Sequence, residues 1–172
     1  MEIRGRAWKL GDDISTDHII SGKYKFRAIS NIQEMVPHVL EELIPDFYLK
    51  VRRGDIIVAG KNFGMGSSRE HAPLLLKILG ISAVVAESFA RIFFRNSINI
   101  GLPAITASEV PRATEEGDVL SVDIEKGILI NMSKGVKESI RPYPREFLEI
   151  LECGGIVEYV RKHGDLPWRG TK

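Results

Sequence analysis

IIVAGKNFGMGSSREHAPLLLKILG, residues 56–80, places an apolar strand, a polar junction and an apolar helix in one run. Ile56 to Ala59 is hydrophobic at every position, as suits a strand covered on both faces. Pro73 has no N–H and belongs in the first turn of a helix. The helix is therefore expected to begin near Glu70 to Ala72 and to run to Leu79, with Gly80 at its end. Between strand and helix, NFGMGSSREH (62–71) gathers two glycines, two serines, an arginine, a glutamate and a histidine. Such a junction is either a turn or a holder of something anionic.

The pattern continues outward. SAVVAE (82–87) reads as a second buried strand, SFARIFFRNSINIG (88–101) as a helix with Ser88 as N-cap, and LPAIT (102–106) as a third strand. Strand, helix, strand, helix, strand favours a parallel sheet. Upstream, IRGRAWKL (3–10) alternates like a strand and stops at Gly11-Asp12-Asp13. Residues 11–30 are polar and irregular. Asn31 to Leu43 carries apolar residues at helical spacing, divided by Pro37 into two short pieces. Downstream, VLSVDI and GILINM (119–132) form a hairpin around Glu125-Lys126-Gly127, and REFLEILECGG and IVEYVRKHG read as helices. The expectation is one α/β domain over residues 1–172, with a mixed or barrel-like β component flanked by helices.

Composition narrows the partners. Charged residues are 27% and the net charge is +1, so neither nucleic acid nor an anionic membrane is expected. No apolar run approaches the roughly 20 residues a membrane span needs, and the N-terminus lacks a signal-peptide core, so a cytoplasmic location is expected. Cys153 is the one cysteine, a core or helix-end thiol. No disulfide can form within the chain, and an iron–sulfur cluster, which needs several thiolates, could not be held by it alone.

At the junction, free N–H groups and the positive end of the helix dipole lie beside Ser67, Ser68 and Arg69, a natural place for an anion. Arg69 can hold a carboxylate through two parallel hydrogen bonds. Gly64 and Gly66 permit positive φ or close backbone approach. The spacing is not that of a Walker loop, a Rossmann fingerprint or a nucleophile elbow. Spacing alone leaves three readings open: a structural turn, an anion site, or a catalytic serine. A second polar stretch, DDISTDHIISGKYKFR (12–27), is either a solvated loop with Asx-turns or the lining of a site for a polyanionic acid, with Arg27 as carboxylate clamp.

DISTDHI, KFR, GMGSSREH and SFARIFFRN…IGLP, in this order, resemble the swivelling domain of the aconitase superfamily. The resemblance is strongest to the stand-alone small subunits of 3-isopropylmalate dehydratase and homoaconitase, and covers nearly the whole chain. It implies a swivelling β/β/α fold and a hydro-lyase reaction, in which a 2-hydroxy acid loses water and regains it at the neighbouring carbon. It also implies a separate large subunit carrying a four-iron four-sulfur cluster, with no metal held by this chain. Residue by residue, Ser67 matches the catalytic base, and Asp17 a member of the active-site hydrogen-bond network. Ser68, Arg69, Thr16 and His18 match substrate-binding positions. Glu70 and His71 fit the signature as residues that hold the loop.

Two departures stand out: Ile20 replaces a serine of aconitase itself, and the segment from His18 to Arg27 is shorter. YKFRAIS (24–30) lies where related subunits choose their substrate. Phe26 suits an isopropyl group and Arg27 a distal carboxylate, so the resemblance leaves isopropylmalate and homoaconitate both open. A non-catalytic carboxylate-binding or regulatory module is the alternative of a different class. Residues 20–32 are expected to be mobile until the complex forms.

Overall fold

The computed structural model describes residues 1–24 and 31–169. Among these, seven strands make one mixed sheet: β1 (Glu2–Lys9), β2 (Ile56–Ala59), β3 (Ala83–Ala86), β4 (Ala104–Thr106), β5 (Val119–Asp123), β6 (Ile128–Asn131) and β7 (Val136–Ser139). Their order is β4-β3-β2-β1-β5-β6-β7. The helices are α1 (Thr16–Ile19), α2 (Phe47–Lys50), α3 (His71–Ile78), α4 (Arg91–Ile100), α5 (Glu109–Ala113), α6 (Arg145–Glu152) and α7 (Ile156–His163).

β1 belongs to two ladders. Ala7 to Lys9 pair in parallel with Ile56 to Val58, while Glu2 to Arg6 pair antiparallel with Val119 to Asp123. The sheet curls about this strand into a half-barrel, because β2 and β3 must bury both faces. Ile57, Val84 and Ala86 point into a core shared with Leu75 and Leu76 of α3 and Phe93 of α4. Ile56, Val58, Ala83 and Val85 point the other way, onto Leu120, Val122 and Leu129 of the antiparallel half. A period of two that is apolar at every position is the expected signature of a strand sandwiched in this way.

The strand–helix–strand–helix–strand reading of the middle holds, as does the hairpin of β5 and β6. α3 starts at His71, inside the expected window. Two readings need correction. Ser88 does not cap α4: the helix begins at Arg91 behind Ala90, and the Ser88 hydroxyl instead accepts the Asn62 N–H at 2.8 Å. Asn31 to Leu43 is not two helical pieces but one 3₁₀ helix, Ile32–His38, that contains Pro37 and gives way to turns. Leu40, at φ 55°, reverses the chain there, and its N–H donates to the Ile19 carbonyl. β7 is an addition that the sequence does not signal, because VKES presents no buried side chain to mark it. Cys153 is half-buried just past the end of α6, a helix-end thiol. None of the described helices is long and apolar enough to cross a membrane.

Candidate active site

The turn after β2 does not stand alone: residues 13–16 run alongside it. The Asp13 N–H donates to the Lys61 carbonyl, the Gly64 N–H to Ile14 and the Thr16 N–H to Met65, at 2.7–2.8 Å. Ser15 and Met65 make an isolated parallel bridge. The two polar stretches of the sequence are thereby stitched into one surface at the carboxyl ends of the parallel strands, the side on which open α/β sheets place their ligands.

Glycine is required where the stitching is tightest. At Gly64, φ is 79° and a Cβ would lie 2.2 Å from the Phe93 ring. At Gly66, φ is 97° and a Cβ would come within 3.3 Å of Thr16 Oγ1. Both conformations lie in the left-handed region, where a side chain is strained.

α1 is closed by a reciprocal cap. Ser15 Oγ accepts the His18 N–H, and His18 Nδ1 accepts the Ser15 N–H, each at 3.1 Å. With Nδ1 an acceptor, the neutral ring of His18 carries its proton on Nε2. The cap aims Asp17 across the junction, where Arg69 Nη1 donates to its Oδ1 at 2.6 Å. The same Nη1 reaches the Ile20 carbonyl at 3.1 Å, and the Gly22 N–H donates to Asp17 Oδ1 at 3.1 Å. The guanidinium holds the Asp17 carboxyl below its ordinary value, helped by the Gly22 N–H and opposed by partial desolvation. Arg69 Nε and Nη2 make no hydrogen bond among the described residues, so the guanidinium is oriented without being used up.

Thr16 is buried, and its hydroxyl donates to the Ser67 carbonyl at 3.1 Å while lying 3.5 Å from Ser67 Oγ. Ser67 and Ser68 are exposed. The N–H groups of Ser67, Ser68 and Glu70 have no acceptor among the described residues. The arrangement offers an exposed hydroxyl, open backbone donors and an oriented guanidinium within one turn of a helix N-terminus. It can receive a carboxylate and stabilise negative charge beside it.

Thr16, Asp17, His18, Ser67, Ser68 and Arg69 thus gather on one surface. Phe26 and Arg27 lie outside the described residues, as do residues 25–30 of the 20–32 segment expected to be mobile; its described ends hold the 3₁₀ helix Gly22–Tyr24 and the start of the 3₁₀ helix Ile32–His38. Glu70 and His71 do not hold the loop: both are exposed, and neither side chain makes a hydrogen bond among the described residues. That task falls to Asp12, Asp13, Asn62 and Ser88. Asp12 Oδ1 accepts the Lys61 N–H at 2.7 Å, and Asn62 Nδ2 donates to Asp13 Oδ1 at 2.9 Å. Asn62 at φ 61° was the available signal, since asparagine is the non-glycine residue that tolerates left-handed backbone best.

An iron–sulfur cluster asks for several thiolates. The donors gathered here are hydroxyls, a carboxylate, a guanidinium and an imidazole, and they do not form such a ligand set.

Known proteins resemble the chain closely. The aconitase C-terminal domain family matches residues 21–110. The 3-isopropylmalate dehydratase small subunit 2 of Archaeoglobus fulgidus is 57% identical over 96% of this chain and 99% of its own length. The small subunit 1 of the same enzyme from Thermotoga maritima is 54% identical over 96% of this chain and 98% of its own. The crystal structure of 3-isopropylmalate dehydratase from Methanocaldococcus jannaschii superposes with a TM-score of 0.86 at 41% identity, covering 95% of this chain and 96% of that one.

Proposed function

Because this chain belongs to the aconitase C-terminal domain family, alongside the small subunits of 3-isopropylmalate dehydratase, we propose that it is the small subunit of a hydro-lyase that interconverts 2- and 3-isopropylmalate by dehydration and rehydration. The large subunit supplies the iron–sulfur cluster, whose ligands this site does not offer. The observation that carries the reading is the Asp17–Arg69–Ile20 arrangement facing the exposed Ser67 and Ser68.

In this reading Arg69 binds a substrate carboxylate through the Nε and Nη2 groups left open, while Asp17 and the Ile20 carbonyl fix its plane. Ser67 Oγ removes the proton from the carbon next to that carboxylate. A serine hydroxyl resists ionisation, so the base needs the open N–H groups of Ser67, Ser68 and Glu70 and the positive end of α3 to stabilise its anion. Thr16, buried behind it, orients the Ser67 backbone. Ser68 hydrogen-bonds substrate, and His18 presents Nε2–H at the rim. Phe26 and Arg27 belong to the loop that selects between an isopropyl group and a further carboxylate.

The test is anaerobic reconstitution with the large subunit, assayed separately on 3-isopropylmalate and cis-homoaconitate. Ser67→Ala should lower turnover by roughly 10²–10⁴-fold and still co-purify with the large subunit. Near-normal turnover would remove Ser67 from the chemistry. Faster turnover of cis-homoaconitate would reassign the substrate.

A further inference from the structure

A row of aromatic rings leads away from the junction. Phe63, buried in the junction, stands edge-on to Phe89 at 6.0 Å between centroids. Phe89 meets Phe94 at 6.1 Å, Phe94 meets Tyr143 at 6.4 Å, and Tyr143 meets Phe147 at 6.0 Å. Two cavities adjoin on this row and share Phe94 and Thr106. One, of about 570 Å³, lies between β4 and the segment Arg141 to Phe147; the other, of about 340 Å³, lies between Thr106 and the start of α4.

β4 is the edge of the sheet here. Its register with β3 turns the N–H and C=O of Ile105 inward and those of Ala104 and Thr106 outward. The Tyr143 hydroxyl takes both Ala104 groups, accepting from the N–H and donating to the carbonyl. Thr106 is exposed, and its N–H and C=O have no partner among the described residues. That open pair sits on the boundary of both cavities.

The charge around it has one sign. Arg91 and Arg95 line the smaller cavity and Arg141 the larger, all three exposed and without an ion-pair partner among the described residues. Neither cavity is lined by a carboxylate. On a chain with 24 basic and 23 acidic residues this is a local excess.

We propose that this trough is where the large subunit docks an extended segment, adding a short strand to the β4 edge at Thr106, placing a bulky apolar side chain beside Phe94, and meeting the three arginines with carboxylates. The inference rests on the two-subunit reading above. Three features favour this occupant: the unpaired edge asks for main chain, the rim asks for negative charge, and the aromatic row is continuous with the junction that must face the cluster-bearing subunit.

The test uses the full chain and the large subunit under anaerobic conditions. Arg91→Glu/Arg95→Glu/Arg141→Glu changes exposed side chains only and should melt with the wild type. Its dissociation constant for the large subunit should rise at least about tenfold, with a flatter salt dependence. In the wild-type complex, amide hydrogen exchange at Thr106 should slow at least about tenfold. Wild-type affinity in the triple variant, or no protection at Thr106, overturns the proposal while leaving the two-subunit reading intact. No association by the wild type sinks that reading itself. Loss of self-association by the triple variant, with large-subunit affinity unchanged, assigns the trough to a second copy of this chain and also overturns the proposal.

Discussion

Replacing Gly64 with alanine should damage the fold more than its single methyl group suggests, and a second glycine separates the causes. A left-handed φ costs alanine about 1–2 kcal/mol. The new Cβ would also fall 2.2, 2.3 and 2.6 Å from three atoms of Phe93. Phe93 is 1% exposed and packed against Phe63 at 5.1 Å, so it has little room to retreat. Overpacking of this kind costs about 1–3 kcal/mol more. Gly117 is the control: its φ is 87°, but nothing lies within 4 Å of a Cβ built there. The entropy that alanine removes from the unfolded chain is common to both variants and cancels in the comparison. With a urea slope of about 2–3 kcal/mol/M for a domain of this size, Gly64→Ala should lower the midpoint by about 1–2 M and Gly117→Ala by about 0.5 M. Urea unfolding followed by far-UV circular dichroism reads both. Equal shifts would refute the reasoning, because they would mean that Phe93 yields freely and the junction is not locked by its ring.

Other perturbations follow from the same contacts. Arg69→Lys keeps the charge but loses the planar fork, so in the reconstituted enzyme KM should rise about tenfold or more, and an unchanged KM would remove Arg69 from substrate binding. Burial would raise the Glu41 carboxyl, but hydrogen bonds from Tyr24, His38 and Lys23 overcome it and hold the group at about 2. A depressed carboxyl stabilises the fold above its unfolded value and loses that contribution as pH falls, here between about 4.5 and about 2. Glu41→Gln should therefore show a shallower loss of stability across that window, by roughly 1–2 kcal/mol after solvent screening, and parallel pH profiles would contradict it. Tyr143→Phe strips the partner from both outward groups of Ala104 and should cost about 1–3 kcal/mol in urea unfolding, with faster amide exchange at Ala104; unaltered exchange would show that solvent replaces the phenol without loss.

The middle of the chain was the legible part because its signals are local. Four consecutive apolar residues, a proline three positions into a helix, and glycines at the ends announce strand and helix without reference to the rest of the molecule. Ser88 misled because serine before an apolar stretch looks like a cap, whereas its hydroxyl is used by Asn62, 26 residues away. β7 has no apolar alternation to betray it. The gathering of Thr16, Asp17, Ser67 and Arg69 was expected from a family pattern; no local rule places residue 17 against residue 69. Backbone pairing between residues 13–16 and 61–65 does so, and pairing of that range leaves no periodicity to read. Glu70 and His71 show the opposite case: they belong to the signature, yet their exposed side chains carry no mechanical role in the loop.

The division of β1 between two ladders has a consequence during synthesis. Ala7 to Lys9 can find Ile56 to Val58 once about a third of the chain has been made, but Glu2 and Gly5 pair with Asp123 and Leu120. At roughly 5–20 residues per second, the first half of β1 waits several seconds longer for its neighbour than the second half does. Until β5 emerges, Glu2 to Arg6 present a free edge of the kind that pairs with other chains. The two charges Arg4 and Arg6 and the glycine between them are poor material for such pairing, and the delay is carried by the least adhesive stretch of the strand.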